Sequence, residues 1–350
     1  MVASNSYFKE RDFKNIEKTR KVLATLPYFC DEFFRGIENQ TTPLTRLGYA
    51  LDLKLFFDFL TSEVVEFSGK GVKDLDFSDL AKVTSTHIEM YLNFLSSYNK
   101  NGQYLSNSAT AKSRKLSALR CMLKYFFRKD KIPSNEGSKV DTPKLRSKEI
   151  IRLEIDEVVN LLNETESPEN FSVHQKAYNK KTRKRDTALL TLLLGTGIRV
   201  SECVGLNVSD VDFSTNGISI TRKGGSQVIL YFSNEVASAL QEYLDERNAD
   251  QNIPKEEKAL FLSMQNKRLG VRAVENLVKK YAQCAVPLKH ITPHKLRSTY
   301  GTNLYRETGD IYIVADVLGH KDVNTTKKHY AAISEDARRR VANVVKLRDK

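Results

Sequence analysis

The sequence predicts a mainly α protein of two domains, a helical N-terminal domain followed by an α+β domain with a small antiparallel sheet. Three observations predict it. Apolar residues recur at helical spacing from Lys14 to about Arg128. A stretch rich in Pro, Gly, Ser and Lys, without apolar periodicity, interrupts the chain between Asp130 and Lys148. The clear β signal, two β-rich runs flanking Gly-Gly-Ser, falls beyond that break. The expected organisation is therefore a helical domain over 1–132, a linker over 133–150 and the α+β domain over 151–350. A chain of 350 residues suits two ordinary domains, and 40% hydrophobic with 28% charged residues excludes a disordered chain.

In the first domain the spacing of Leu44, Leu47, Leu51, Leu55 and Phe59 predicts one amphipathic helix, and that of Leu116, Leu119, Leu123 and Phe126 predicts another, starting near Ser108. The second of these also carries Lys112, Arg114, Lys115, Arg120 and Lys124, more cations than a leucine stripe can hide. Taken alone, such a run reads as a solvated surface. Beyond the linker, LEIDEVVNLL predicts an amphipathic helix, and TALLTLLLGTG predicts a buried one. Between them the basic stretch Ser167–Arg185 reads equally as a DNA-contacting loop or a surface insertion. The run ISITRKGGSQVILYF predicts a hairpin with Lys223 at its tip. Helices follow around Val236–Arg247, Ala273–Ala285, His294–Thr308 and Ile311–Leu318, and an amphipathic tail runs from Glu335 to about Leu347. Tyr300, Tyr305 and Tyr312 sit in apolar helical patterns and read as core.

The 56 Lys and Arg exceed the 43 Asp and Glu by a formal +13, and both halves share the excess, which favours a polyanionic partner. Cys30, Cys121, Cys203 and Cys284 lack CxxC spacing and read as reduced core residues. No apolar signal core opens the sequence and no stretch reaches the roughly 20 apolar residues of a membrane span, so a cytoplasmic protein is expected. His290, His294, His320 and His329 have no acidic or cysteine partner at ligand spacing, so no metal and no other cofactor is expected.

Four separated segments look unlike packing: Gly197-Ile198-Arg199-Val200-Ser201-Glu202, the hairpin Lys223, His294-Lys295-Leu296-Arg297, and Leu318-Gly319-His320 followed by Tyr330. Each alone has a dull reading. Arg199 and Glu202 suit a helical ion pair, Lys223 a solvated turn, His294 a helix start after Pro293, and His320 a helix end. In this order, they resemble the tyrosine recombinase, or phage integrase, family, and most of all its Xer-like members. Tyr300 matches the aromatic that follows the family's His-x-x-Arg, and Thr325-Thr326 precede Tyr330 as in its closing motif.

The resemblance covers nearly the whole chain. It implies a core-binding (SAM-like) helical domain and a catalytic domain that close around double-stranded DNA, and it makes Lys112, Arg114, Lys115, Arg120 and Lys124 expected DNA contacts. It further implies Tyr330 as nucleophile, Arg199 and Arg297 as phosphate clamp, His294 as proton acceptor, Lys223 as general acid, His320 as a hydrogen-bond donor and Glu202 as support. A homo-tetramer, or a hetero-tetramer with a second recombinase, on two DNA sites is the implied assembly, with the tail docking on a neighbour or on its own domain. The chain departs from many Xer-like relatives in a longer interval between His320 and Tyr330, in His329 before the nucleophile, and in the basic stretch 167–185. A type IB topoisomerase uses the same residue types only to relax supercoils, and a non-catalytic DNA-binding protein on the same fold is the other alternative.

Overall fold

The computed structural model describes residues 6–100, 102–145, 151–168, 171–222 and 225–319. They form two units, divided between Lys148 and Glu149. The first contains helices α1 (Ser6–Leu23), α2 (Phe29–Gly36), α3 (Pro43–Glu63), α4 (Phe77–Lys82) and α5 (Ser85–Phe94), the hairpin β1 (Tyr98–Lys100) and β2 (Gln103–Leu105), and helix α6 (Ala109–Phe127). Thr42 and Ser108 cap α3 and α6 by accepting from the backbone N–H of Thr45 and Ala111, and Pro43 occupies the first turn of α3. The core is aromatic: Phe29 meets Phe57 and Phe126 edge to face, at ring separations of 5.8 and 5.7 Å. The hairpin was not foreseen. Its three-residue strands are almost wholly exposed and carry no alternating apolar pattern.

Arg46, Asp52 and Asp79 are the charged residues buried in this unit among the described residues, and Asp52 is the most deeply buried. Asp52 of α3 is buried and accepts from both terminal nitrogens of Arg114, bidentately, and from Lys115 Nζ at 3.2 Å. The expected linker starts later than its composition suggests. Ile132 and Val140 belong to the first unit's core, and Arg120 ties the segment to α6 by donating to the carbonyls of Gly137 (2.8 Å) and Val140 and to Thr142 Oγ1 (2.7 Å). Polar composition marked surface, but a buried Arg stem and one valine are enough to dock it.

The second unit contains α7 (Ile155–Glu166), α8 (Val173–Thr196), α9 (Val200–Cys203), strands β3 (Val211–Asp212), β4 (Gly217–Thr221) and β5 (Gln227–Tyr231), then α10 (Asn234–Ala249), α11 (Val271–Ala285), α12 (Pro293–Thr308) and α13 (Ile311–Leu318). The sheet is antiparallel in the order β3-β4-β5, with Ile218 opposite Leu230 and Ile220 opposite Val228. The hairpin is as expected; two-residue β3 is too short to leave a periodic signal. Helix α8 is the spine, flanked by α7, α10 and α12.

The basic stretch is not the expected loop: from Val173 onward it is helix and continues without a break into the apolar run. Lys176, Lys180, Lys181 and Arg183 are exposed, whereas Asn179, Thr182 and Arg185 face inward. Asp186 accepts from Arg185 Nε (2.9 Å), Thr182 Oγ1 (3.1 Å) and the Tyr281 hydroxyl (2.8 Å), which in turn accepts from Asn179 Nδ2 (2.8 Å), and Lys280 lies 4.0 Å over the Tyr281 ring. A buried carboxylate needs such a partner set. Tyr312 also departs from its expected place. The buried face of α13 is Val314, Ala315 and Leu318, and Tyr312, two residues before Val314, points away and is 70% exposed. Tyr300 and Tyr305 are half-buried. Cys30 and Cys203 are buried and Cys121 and Cys284 half-buried, all four as free thiols. Among the described residues no helix is long and apolar enough to cross a membrane.

Replacing Asp52 with Ala leaves the nearly buried Lys115 ammonium without its carboxylate. The expected loss is about 3–5 kcal/mol, read as a lowered urea midpoint for the first unit; an unchanged midpoint contradicts this account of the core.

Candidate active site

The site is assembled where α8 ends, α12 begins and α13 ends. Helix α8 stops at Gly197, whose φ of 61° is the left-handed conformation of a helix C-cap. Space demands glycine there too: an added Cβ would sit 2.5 Å from Tyr300 Cδ1 and 3.0 Å from Leu318 Cδ2. That close approach brings Arg199, two residues on, beside α12 and α13.

Arg199 caps the short helix α9, and Glu202 holds it twice. The buried Glu202 carboxylate accepts from the Arg199 backbone N–H (3.0 Å) through one oxygen and from Arg199 Nη1 (2.8 Å) through the other. Arg199 Nη2 donates to the carbonyls of Leu318 (3.2 Å) and Gly319 (3.0 Å). Arg297, buried on α12, donates from Nη1 to Gly197 O and from Nη2 to Leu318 O. Two guanidinium groups from segments about a hundred residues apart therefore share one carbonyl oxygen. The ion pair expected of Arg199 and Glu202 exists, but it serves to aim the arginine rather than to stabilise a helix surface.

His294 lies one turn before Arg297 on α12 and is exposed. Pro293 fills the first turn of that helix, and Thr299 Oγ1 accepts the Leu153 backbone N–H at 3.0 Å, anchoring it to the start of the unit. Burial pushes the Tyr300 phenol above its ordinary value and keeps it protonated, as suits a packing residue. Lys223, His320 and Tyr330, with the tail over 335–347, lie outside the described residues.

Sequence reasoning missed Arg222. Its Nη1 donates to Asp316 O (3.2 Å) and its Nη2 to Val317 O (2.8 Å), so it too grips the end of α13. A partner more than ninety residues away leaves no periodicity, and only its place beside Lys223 hinted at a role. The cations singled out on α6 have these surroundings: Lys112 Nζ donates to Ser96 Oγ (2.6 Å), Arg114 and Lys115 hold Asp52, Arg120 holds 137–142, and Lys124 is exposed.

Residues 151–336 match the phage integrase family. Tyrosine recombinase XerC of Caldanaerobacter subterraneus subsp. tengcongensis is 32% identical over 312 residues, covering 86% of this chain and 82% of that one. Tyrosine recombinase XerS of Streptococcus thermophilus is 27% identical over 355 residues, covering 94% of this chain and 98% of that one. In fold the chain is similar to XerH site-specific recombinase bound to a palindromic difH substrate, with a TM-score of 0.65 and 19% identity over 87% of this chain and 80% of that one. It is likewise similar to the Tn1549 transposon integrase in complex with circular intermediate DNA, with a TM-score of 0.61 and 19% identity over 87% and 95% of the two chains. The class these findings define is the tyrosine-type site-specific recombinase. The chain belongs to the phage integrase family and is of the Xer-like kind.

Gly197→Ala forces a side chain into the left-handed region and against Tyr300. The expected cost is about 2–4 kcal/mol from backbone strain plus overpacking, seen as a lowered melting temperature; a variant as stable as wild type would contradict the described approach of α8 and α12.

Proposed function

We propose that this chain cuts and rejoins double-stranded DNA at specific sites through a covalent phosphotyrosine at Tyr330. The observation that carries the reading is the meeting of Arg199 and Arg297 at the carbonyl of Leu318, two residues before His320. Breaking a phosphodiester requires a nucleophile, charge neutralisation on the pentacoordinate transition state and a proton for the departing oxygen. Two guanidinium forks meet the second need, since each matches two non-bridging phosphate oxygens in a way an ammonium does not. Their bonds to carbonyls orient them in the free protein, and Glu202 fixes the rotamer of Arg199.

Tyr330 attacks phosphorus in line; an O–P bond to the phenol forms and the bond to the 5′ oxygen breaks. An unperturbed phenol titrates near pH 10, so it needs an acceptor for its proton, and the exposed His294 has that role. Lys223 protonates the 5′ oxygen as it leaves, and His320 donates a hydrogen bond to the phosphate. The 3′-phosphotyrosyl linkage keeps the bond energy, and a 5′ hydroxyl from the same or another duplex reverses the step without a cofactor. Exchange between two sites calls for four protomers, with the tail over 335–347 docking on a neighbour and a second recombinase as the alternative source of two of them. Lys112, Arg114 and Lys124 on α6 supply phosphate contacts that confer affinity and salt dependence rather than sequence choice, consistent with the +13 charge. The activity belongs in the cytoplasm.

Arg297→Lys keeps the charge and loses the fork. On a duplex nicked beside the scissile phosphate, at a temperature where the variant remains folded, cleavage is expected to fall about 100- to 1000-fold, and a variant cleaving at the wild-type rate would remove Arg297 from the phosphate clamp. With two labelled duplexes, wild type yields exchanged products; relaxation of supercoils without exchange would favour the topoisomerase alternative.

A further inference from the structure

Arg222 has no part in the chemistry above, yet its side chain reaches across the second unit. It closes the β4–β5 hairpin through its own backbone, its N–H donating to Ser226 O (2.8 Å) and its carbonyl accepting from Gly225 N–H (3.0 Å). Its guanidinium meanwhile grips the carbonyls of Asp316 and Val317 at the end of α13. The next two carbonyls, of Leu318 and Gly319, belong to Arg199 and Arg297. Three arginines thus bind four successive carbonyls of the backbone that leads into His320.

The contact is close. Gly319 has a φ of 60°, and a Cβ there would collide with the Arg222 guanidinium at three of its atoms. It is also a poor way to gain stability, because Arg222 Nε is buried without an acceptor among the described residues, and an unmade bond of that kind offsets much of what the other two contribute. What the contact achieves is geometric. One side chain joins the strand end immediately preceding Lys223 to the helix end immediately preceding His320, on the same stretch of carbonyls that orients the two phosphate-binding arginines.

We propose that Arg222 is a positioning residue for strand cleavage: by fastening the end of the β4–β5 hairpin to the C-terminus of α13, it sets where the following lysine delivers its proton. The inference rests on the reading of Lys223 as the acid that protonates the 5′ oxygen. An arginine suits the task because its planar fork takes two carbonyls at once, whereas a lysine reaches one.

The test compares wild type, Arg222→Ala, Arg222→Lys and Lys223→Ala, all full length, on two duplexes that differ in one atom. One has the ordinary oxygen at the 5′ bridging position of the scissile phosphate and the other has sulfur, which leaves without needing a proton. Arg222→Ala is expected to cleave the oxygen duplex about 100-fold more slowly, to bind DNA unchanged, and to regain the wild-type rate on the sulfur duplex. Arg222→Lys is expected between the two. If sulfur restores Lys223→Ala but leaves Arg222→Ala slow, Arg222 acts through folding or phosphate binding and the proposal is overturned. An Arg222→Ala variant as fast as wild type on the oxygen duplex overturns it as well. If sulfur fails to restore Lys223→Ala, the acid role of Lys223 falls first and the proposal falls with it.

Discussion

The last carbonyls of a helix have no partner within the helix, and the end of α13 makes that deficiency the organising point of the second unit. Val317, Leu318 and Gly319 present three such oxygens, next to Asp316 O, which accepts from the Gly319 N–H (2.8 Å), with the partial negative charge of a helix C-terminus behind them. Arg222, Arg199 and Arg297 answer from the sheet, from the turn after α8 and from α12. Three parts of the chain that share no local sequence relation are thereby fixed to one another through backbone atoms, which no side-chain substitution in α13 can remove. The mutual repulsion of these three cations is offset by carbonyls and by one buried carboxylate, Glu202.

That arrangement needs a rigid support, and α8 provides it. Midway along, the helix is pinned to α11 by the bonds around Asp186, where Arg185, Thr182 and Tyr281 satisfy a buried charge. At its C-terminal end it stops at Gly197, close enough to Tyr300 that no side chain fits. The polar cluster fixes the helix axis and the glycine lets it approach α12, so the aim of Arg199 depends on packing some distance from any phosphate. Lys280, held over Tyr281 and beside Asp186, has its ammonium pushed below the ordinary lysine value by burial, which outweighs the pull of Asp186; it serves this packing.

The family was legible in the sequence because the types and order of these residues are unusual together: Arg199 with Glu202 after a glycine, His294 and Arg297 after a proline, Leu318-Gly319 before a histidine. The helices were legible wherever one face is apolar, as in α6 and α13. Contacts set by tertiary structure alone were hidden. Arg222 went unremarked because its acceptors are backbone atoms, which are the same in any sequence. Lys115 and Arg120 looked like surface cations because nothing near them in the chain shows that Asp52 and the 137–142 carbonyls lie within reach. The stretch from Val173 to Arg185 read as a loop because its polar residues mask the helical period, while Asn179, Thr182 and Arg185 turn inward to polar partners instead of apolar ones. Tyr312 was misplaced for the opposite reason: an apolar neighbourhood in sequence does not say which side of a helix meets the core.

The measurement that bears most directly on the whole account is the mapping of the covalent link. The full-length protein is incubated with a nicked duplex that traps the intermediate, digested with trypsin and nuclease, and its peptides are read by mass spectrometry. The account predicts a nucleotide on the phenol of Tyr330, within the peptide His329–Arg338, and no such product from Tyr330→Phe although that variant still binds the duplex. A nucleotide on another residue, or an adduct that persists in Tyr330→Phe, would contradict it.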